Sequence, residues 1–295
     1  FLGYPVIGLW YWCADQTIVQ RVLGAKDENH ARVGALFAGF IKILPVFIFV
    51  LPGLLCLGLM NRGMLPEELE QSSDTYAYLI AHLLPVGLKG IVAAALLAAL
   101  MSTVSGALNS IATLFSYDIY RRWQPQTTDR QLVVVGRVAT FVAMVAAILW
   151  SPMLGRFESI FQGINAMICY IAPPITAVFL WGLFWRRASA AGALVTLCTG
   201  AVLGFTVFLL DWFKEQTHWD IPFMLTAFYL FVICSVLLAV VSLLRPHKHT
   251  AESERLVWGN PLNALKGEAW PGLADYKLLA AMLFCLMVGL YIVFA

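Results

Sequence analysis

The sequence predicts an all-α, multispanning membrane protein. Three observations lead there: an excess of apolar residues, their grouping into segments of membrane-spanning length, and an alternation of charge between connectors. Hydrophobic residues fill 61% of the 295 positions and charged residues 12%, whereas a soluble domain carries about 25% charge. A globule cannot hide that much apolar surface, so a bilayer is the expected solvent. The runs 133–149 and 278–295 are long enough to cross a hydrocarbon core of about 30 Å at about 1.5 Å per residue.

Eight apolar segments follow one another, at about 1–21, 33–60, 85–118, 131–150, 157–185, 190–212, 221–244 and 276–295. The third is too long for a simple span and is expected to begin or end in an interfacial turn; its tail, Ser116-Tyr117-Asp118-Ile119-Tyr120, is already polar. The long polar connectors, 61–81 and 246–270, are too small for a separate catalytic domain. No internal repeat or low-complexity tract is evident.

Lys and Arg concentrate on the cytoplasmic side of short loops. One alternate set of connectors holds Arg21, Lys26, Arg32, Arg121, Arg122, Arg130, Arg186, Arg187, Arg245, Lys248, Arg255 and Lys266; the other holds Arg62, Arg156 and Lys214, with Glu67, Glu68, Glu70 and Asp74 beside the first. Twelve against three places the first set in the cytoplasm and both chain ends outside. Phe1 in place of Met, with no basic-then-apolar leader after it, gives the expectation that the sequence starts inside a longer protein.

The net charge of +2 sits in short connectors and forms no basic face, which argues against a nucleic-acid partner. Cys13, Cys56, Cys169, Cys198, Cys234 and Cys285 lie in apolar stretches without paired spacing, so a disulfide framework or zinc site is not expected. His30, His218, His247 and His249 fall in connectors and His82 near an interface. With no nucleophile-base pair, metal-ligand cluster or phosphate loop, the chain does not read as an enzyme, and no organic cofactor is expected.

Ionisable and polar groups inside a span are costly, so each is a functional candidate. Lys42 lies about ten residues into a helix expected to begin near Arg32, about 15 Å deep. It is either a structural ion pair or carbonyl contact, or a donor to a polar solute in a central cavity. Gly8-Leu9-Trp10-Tyr11-Trp12-Cys13-Ala14-Asp15-Gln16 gathers aromatic rings, a carboxylate and an amide in one segment. Rings stack on the C–H faces of sugars and amides bond hydroxyls, as a sugar site requires; the same rings also suit an interfacial belt. Asp15 is expected to pair with a basic neighbour. Ala99, Ser102, Thr103 and Ser105 form a small polar patch that either glues helices together or offers oxygens to a hard cation.

Tyr11-Trp12-Cys13-Ala14-Asp15-Gln16-Thr17-Ile18-Val19-Gln20-Arg21 with Gly24-Ala25-Lys26, Phe40-Ile41-Lys42-Ile43-Leu44-Pro45 with Leu51-Pro52-Gly53, Leu100-Met101-Ser102-Thr103 through Asp118-Ile119-Tyr120, and Ala172-Pro173-Pro174-Ile175 with Gly182-Leu183-Phe184-Trp185-Arg186-Arg187 resemble, in order and spacing, the sodium/glucose cotransporters of the solute:sodium symporter family. The resemblance covers about positions 1–200. It implies a fold of two inverted five-helix repeats plus peripheral helices, with solute held midway between broken helices. Residues 1–185 would then be the second repeat with five spans, and 186–295 three peripheral spans with the cytoplasmic connector 246–270. The first repeat, required for function, would lie upstream of Phe1.

The resemblance further implies that Tyr11 closes a sugar site from the inside, Trp12 lines it and Lys42 donates to the sugar. Ala99 would offer its backbone oxygen, and Ser102 and Thr103 their hydroxyls, to sodium; Ser105 matches a second sodium position used by some members. Asn165 stands where sugar-transporting relatives often carry glutamine, so its amide reaches about one methylene less far, and Gln162 one turn earlier is a possible compensation. The implied activity is sodium-coupled symport of a sugar such as glucose or galactose by alternating access, in the plasma membrane, with sodium as coupling ion. The alternatives are a symporter for a polyol, sialic acid or other small metabolite, and a membrane sugar sensor without flux.

Overall fold

The computed structural model describes residues 2–64, 74–157, 159–246, 250–258 and 260–294. Glu67, Glu68, Glu70, His247, Lys248 and His249 lie outside the described residues. Regular structure among the described residues is helical, without strands. The principal helices are α1 (Gly3–Cys13), α2 (Gln16–Leu23), α3 (Glu28–Ile41), α4 (Leu51–Asn61), α5 (Thr75–Leu83), α6 (Val86–Thr113), α7 (Asp129–Trp150), α8 (Ile160–Phe184), α9 (Ala190–Trp212), α10 (Phe223–Leu244) and α11 (Tyr276–Phe294).

Seven helical stretches among the described residues are long and apolar enough to cross a membrane: Glu28–Asn61, Val86–Trp123, Asp129–Gly155, Ile160–Phe184, Ala190–Trp212, Phe223–Leu244 and Tyr276–Val293. The chain is a multispanning helical membrane protein. The first of the eight expected segments differs from the rest: it folds as two short helices, α1 and α2, broken at Ala14 and Asp15. Both of their amides donate to Trp10 O at 2.9 Å, and the Asp15 carboxylate then accepts from Ile18 N at 3.2 Å. Asp15 is therefore the N-cap that starts α2, and among the described residues it forms no ion pair. The expected pairing with a basic neighbour is replaced by this cap, because a carboxylate beside unsatisfied helix amides finds donors locally.

The third segment is also longer than expected. Val86–Trp123 runs continuously for 38 residues, about 57 Å of helix, and ends in a wide π-type stretch over Leu114–Tyr120. Its cytoplasm-assigned end therefore extends past any interfacial turn at 118. α7 then starts on a capping box, in which Thr128 N donates to Gln131 Oε1 at 3.0 Å.

The described chain forms two compact units. One holds 1–23 and 161–271, and the other 24–160 and 272–295. Compactness is a separate property from the repeat topology expected at 1–185 and 186–295, and the two need not divide the chain at the same place.

In the first unit, α9 carries small residues at every fourth position, Gly192, Thr196, Gly200 and Gly204, all buried. That row admits α8 and α10 at backbone distance, the small-residue packing of membrane helices. A methyl at Gly204 would sit 2.2 Å from Tyr170 O of α8, and one at Gly192 would sit 2.3 Å from Ser242 Oγ of α10. Ser242 Oγ also accepts from Ser189 N at 3.0 Å. α8 meets α1 in turn, with the single Thr176 hydroxyl proton shared between Ala172 O at 3.0 Å and Val6 O at 3.3 Å. The connector folds onto the end of α8 through Trp258 N and Leu183 O at 2.7 Å.

In the second unit, α6 and α7 pack where Gly136 meets Ala112 and Ser116, and α11 packs along α3. Ser116 Oγ is satisfied by Ala112 O at 2.6 Å. The outer faces of these helices are aliphatic and exposed, for example Ile91, Leu97, Val138 and Ile148, a surface suited to lipid or to further membrane helices.

Candidate functional site

The candidate residues fall in both units. In the first, Tyr11 and Trp12 occupy the last turn of α1, directly before the helix breaks. Their rings meet edge to face, with centroids 5.5 Å apart and planes at 85°, the geometry favoured by the ring quadrupole. The break matters because it takes backbone out of the helical ladder within an apolar segment, an arrangement tolerated at membrane depth only where protein or a water-filled cavity satisfies it. The two rings therefore stand at the end of α1 and not in the middle of an intact helix.

Asn165 lies in the second turn of α8. Its Nδ2 donates to Phe161 O at 2.8 Å. This bond fixes the side chain against its own helix and leaves the amide oxygen and a second N–H for another partner.

In the second unit, Lys42 follows the last residue of α3 and serves as its C-cap, with its own amide bonded to Ala38 O at 2.9 Å. The helix starts at Glu28 rather than near Arg32, capped by Asp27, so Lys42 stands after fourteen helical residues, about 21 Å along the axis. The cause of the stop is Pro45, which has no amide to give the carbonyl of Ile41. The chain turns through Lys42 and Ile43 and resumes as a wide π-type stretch, Val46–Val50, before α4. Lys42 is thus near the middle of the 34-residue span Glu28–Asn61, at a second helix interruption.

Ala99, Ser102 and Thr103 share one arc of α6 at about 100° per residue, and all three are exposed on this chain. The helix is unbroken here, so no carbonyl is freed by unwinding. Thr103 Oγ1 donates to Ala99 O at 2.9 Å. This back-bond spends the hydroxyl proton on the carbonyl and leaves the Oγ1 lone pairs available, while Ala99 O, which also takes the Thr103 amide of the unbroken helix, accepts twice. Ser105 lies elsewhere on the circumference: it lines a cleft of about 780 Å³ between α6 and α7, together with Asn109, Thr140 and Arg137. Ala99, Ser102 and Thr103 do not line that cleft.

Arg137 was not anticipated. It stands two turns into α7, about 12 Å from the helix start, and is exposed in the cleft. The available signal was a lone cation interrupting the apolar run 133–149, masked by the run's overall hydropathy. Among the described residues, no group of three or more His, Cys, Asp and Glu comes together. The oxygens near Thr103 are neutral hydroxyl and carbonyl oxygens, which suit a weakly charged hard cation better than a transition metal.

A family model described as the sodium:solute symporter family matches residues 1–200. The chain is similar to the sodium/mannose cotransporter of Bos taurus, 31% identical over 335 aligned positions that cover 99% of this chain and 55% of that protein. It is similar to sodium/glucose cotransporter 4 of Danio rerio, 32% identical over 283 positions that cover 87% of this chain and 43% of that protein. Similarity to the human sodium/myo-inositol cotransporter 2 is 35% identity over 238 positions, covering 75% of this chain and 34% of that protein. The chain therefore spans about half the length, or less, of these relatives.

Proposed function

The chain belongs to the sodium:solute symporter family, and from that premise we propose that it is the C-terminal half of a sodium-coupled symporter for a sugar such as glucose or galactose. In this reading, 1–185 form the second inverted repeat and 186–295 three peripheral spans with their cytoplasmic connector. The rest of the longer protein supplies the first repeat, and the whole works in the plasma membrane.

One observation carries the proposal. Two interruptions of apolar helix coincide with the side chains suited to a sugar: α1 stops directly after Tyr11 and Trp12, and α3 stops directly before Lys42. A helix interruption within a span is costly unless protein or a water-filled cavity satisfies the freed backbone, and in transporters of this architecture broken helices line the solute site. The rings at one interruption are the stacking surface, and the ammonium group at the other the donor, that a sugar requires.

The roles are those that the resemblance to the family implies. Trp12 lines the site and Tyr11 closes it from the inside. Lys42 donates to sugar hydroxyls, and the Asn165 amide, already oriented by Phe161 O, offers a donor and an acceptor. Sodium takes the Ser102 and Thr103 hydroxyls and the Ala99 carbonyl, with Ser105 a second ion position in two-ion members. Sodium favours the outward-open arrangement, solute closes it, and the inward-open arrangement releases both. Each charge moved contributes about 2.3 kcal/mol per 100 mV.

A polyol is a second reading, favoured by the shorter amide at Asn165 and by similarity to a myo-inositol cotransporter. Uptake of labelled glucose by proteoliposomes of the full-length protein, with and without a sodium gradient, tests the main reading. Competition by mannose, galactose and myo-inositol separates the two. Binding of a sugar without sodium-driven uptake would turn the reading into that of a sensor.

A further inference from the structure

The last membrane-length helix among the described residues, α11, belongs to the same compact unit as α3, although more than two hundred residues separate them in sequence. Two contacts join them. Near the start of both helices, the Arg32 guanidinium lies over the Tyr276 ring, 4.6 Å from its centroid. Tyr276 is 5% exposed, and the guanidinium also pairs with Glu28 one turn back on α3. Seven residues further along each helix, Gly39 receives Leu283: a methyl at Gly39 would sit 2.8 Å from Leu283 Cδ2.

Equal steps of seven on both helices mean that α3 and α11 run parallel and in register along a heptad seam. The two contacts are about 10 Å apart. Lys42 follows Gly39 by three residues, one helical turn past the second contact and immediately before the chain leaves helical geometry.

We propose that α11 is a brace for α3, and that Tyr276 and Leu283 act as positioning residues which hold Lys42 at its place in the span. The proposal rests on the reading of Lys42 as a solute donor. A free helix ending at a proline-induced break would wander with every opening of that break. One clamped at two points a heptad apart delivers its last residue to a fixed position, so α3 and α11 travel through the transport cycle as one body.

The test uses the full-length protein in proteoliposomes. Tyr276→Leu removes the ring and keeps an apolar side chain; Tyr276→Phe keeps the ring. The expected result is a solute KM raised about three- to thirtyfold by Tyr276→Leu, the range of a partly desolvated cation–π contact. The sodium concentration for half-activation stays unchanged, and Tyr276→Phe restores the parent KM. An unchanged KM in Tyr276→Leu, or failure of Tyr276→Phe to restore it, overturns the proposal.

The double variant Gly39→Cys with Leu283→Cys supplies a second measurement, with the parent protein under the same oxidant as control. A disulfide that forms in the membrane and leaves sodium-driven uptake intact is expected of two helices moving together. No bond, or uptake lost on oxidation and regained on reduction, overturns the brace. A parent protein without sodium-driven uptake overturns the functional reading instead, and bond formation still reports on the brace by itself.

Discussion

Thr103 donates its hydroxyl to the carbonyl of Ala99, one turn back on the same helix, at 2.9 Å. The bond ties two of the expected sodium ligands to one another on one turn of α6. It fixes the χ1 rotamer of Thr103 and aims the free lone pairs of Oγ1 away from the helix axis. Thr103→Ser keeps the oxygen and the back-bond, whereas Thr103→Ala deletes both. Sodium activation of solute uptake should therefore shift by about tenfold or more in Thr103→Ala with Ser102→Ala, the effect of about 1.4 kcal/mol in ion binding. Thr103→Ser should remain close to the parent. Unchanged sodium dependence in the double variant would remove this patch from the ion site.

Lys42 is the C-cap of α3, near the middle of the span Glu28–Asn61, where an ammonium group is costly unless it has polar partners. Loss of a hydrogen bond from a charged donor costs about 1.5–3 kcal/mol, about ten- to hundredfold in affinity. Lys42→Ala should lose solute uptake on that scale at saturating sodium, with the protein still inserted. Lys42→Arg retains the charge but replaces a compact ammonium with a planar fork, so it should recover only part of the uptake. Normal uptake in Lys42→Ala would leave Lys42 as a structural residue.

What could be read in advance followed the physics of each signal. Apolar run length marked the spans from Glu28–Asn61 to Tyr276–Val293, because a bilayer demands length and little else. Helix interruptions were harder. The segment 33–60 reads as one span by its hydropathy, and the stop before Pro45 was not anticipated, although proline removes a backbone donor wherever it stands. The stop at Ala14 and Asp15 was hidden because the segment is apolar on average; only Asp15 as a helix N-cap betrayed it, and a carboxylate near Arg21 reads as readily as an ion-pair partner. The azimuth that separates Ser105 from Ser102 and Thr103 is a matter of about 100° per residue, and it became meaningful only once α7 and Arg137 were placed beside α6.

Gly204 faces the backbone of Tyr170, where an added methyl would lie 2.2 Å from the carbonyl oxygen. Backbone cannot swing aside as a side chain can, so α8 and α9 must separate. Gly204→Ala should cost about 1–3 kcal/mol, in line with other overpacked interiors, and lower the thermal unfolding temperature in detergent. Gly182 offers the contrast, since nothing among the described residues lies within 4 Å of an added methyl there. Gly182→Ala should be neutral or slightly stabilising, as alanine is in a helix. Equal effects at the two positions would contradict the close approach.

Asp27 caps α3, accepting from His30 N at 2.9 Å and lying 2.7 Å from His30 Nδ1 through its second oxygen. The backbone bond from His30, followed by the bond to the His30 ring, holds the Asp27 carboxyl below the ordinary carboxylate range. A depressed folded value means that the cap is at full strength above the unfolded range near pH 4 and is lost as pH falls through the folded value. Amide exchange at His30, corrected for the intrinsic rate, should therefore show protection that is flat near neutrality and falls away in acid. Asp27→Asn keeps an oxygen acceptor without a titrating proton, so its protection should be independent of pH across the same range. Asp27→Ala should leave the His30 amide unprotected throughout. Protection that persists in acid in the parent would mean that the start of α3 is held by packing rather than by this carboxylate.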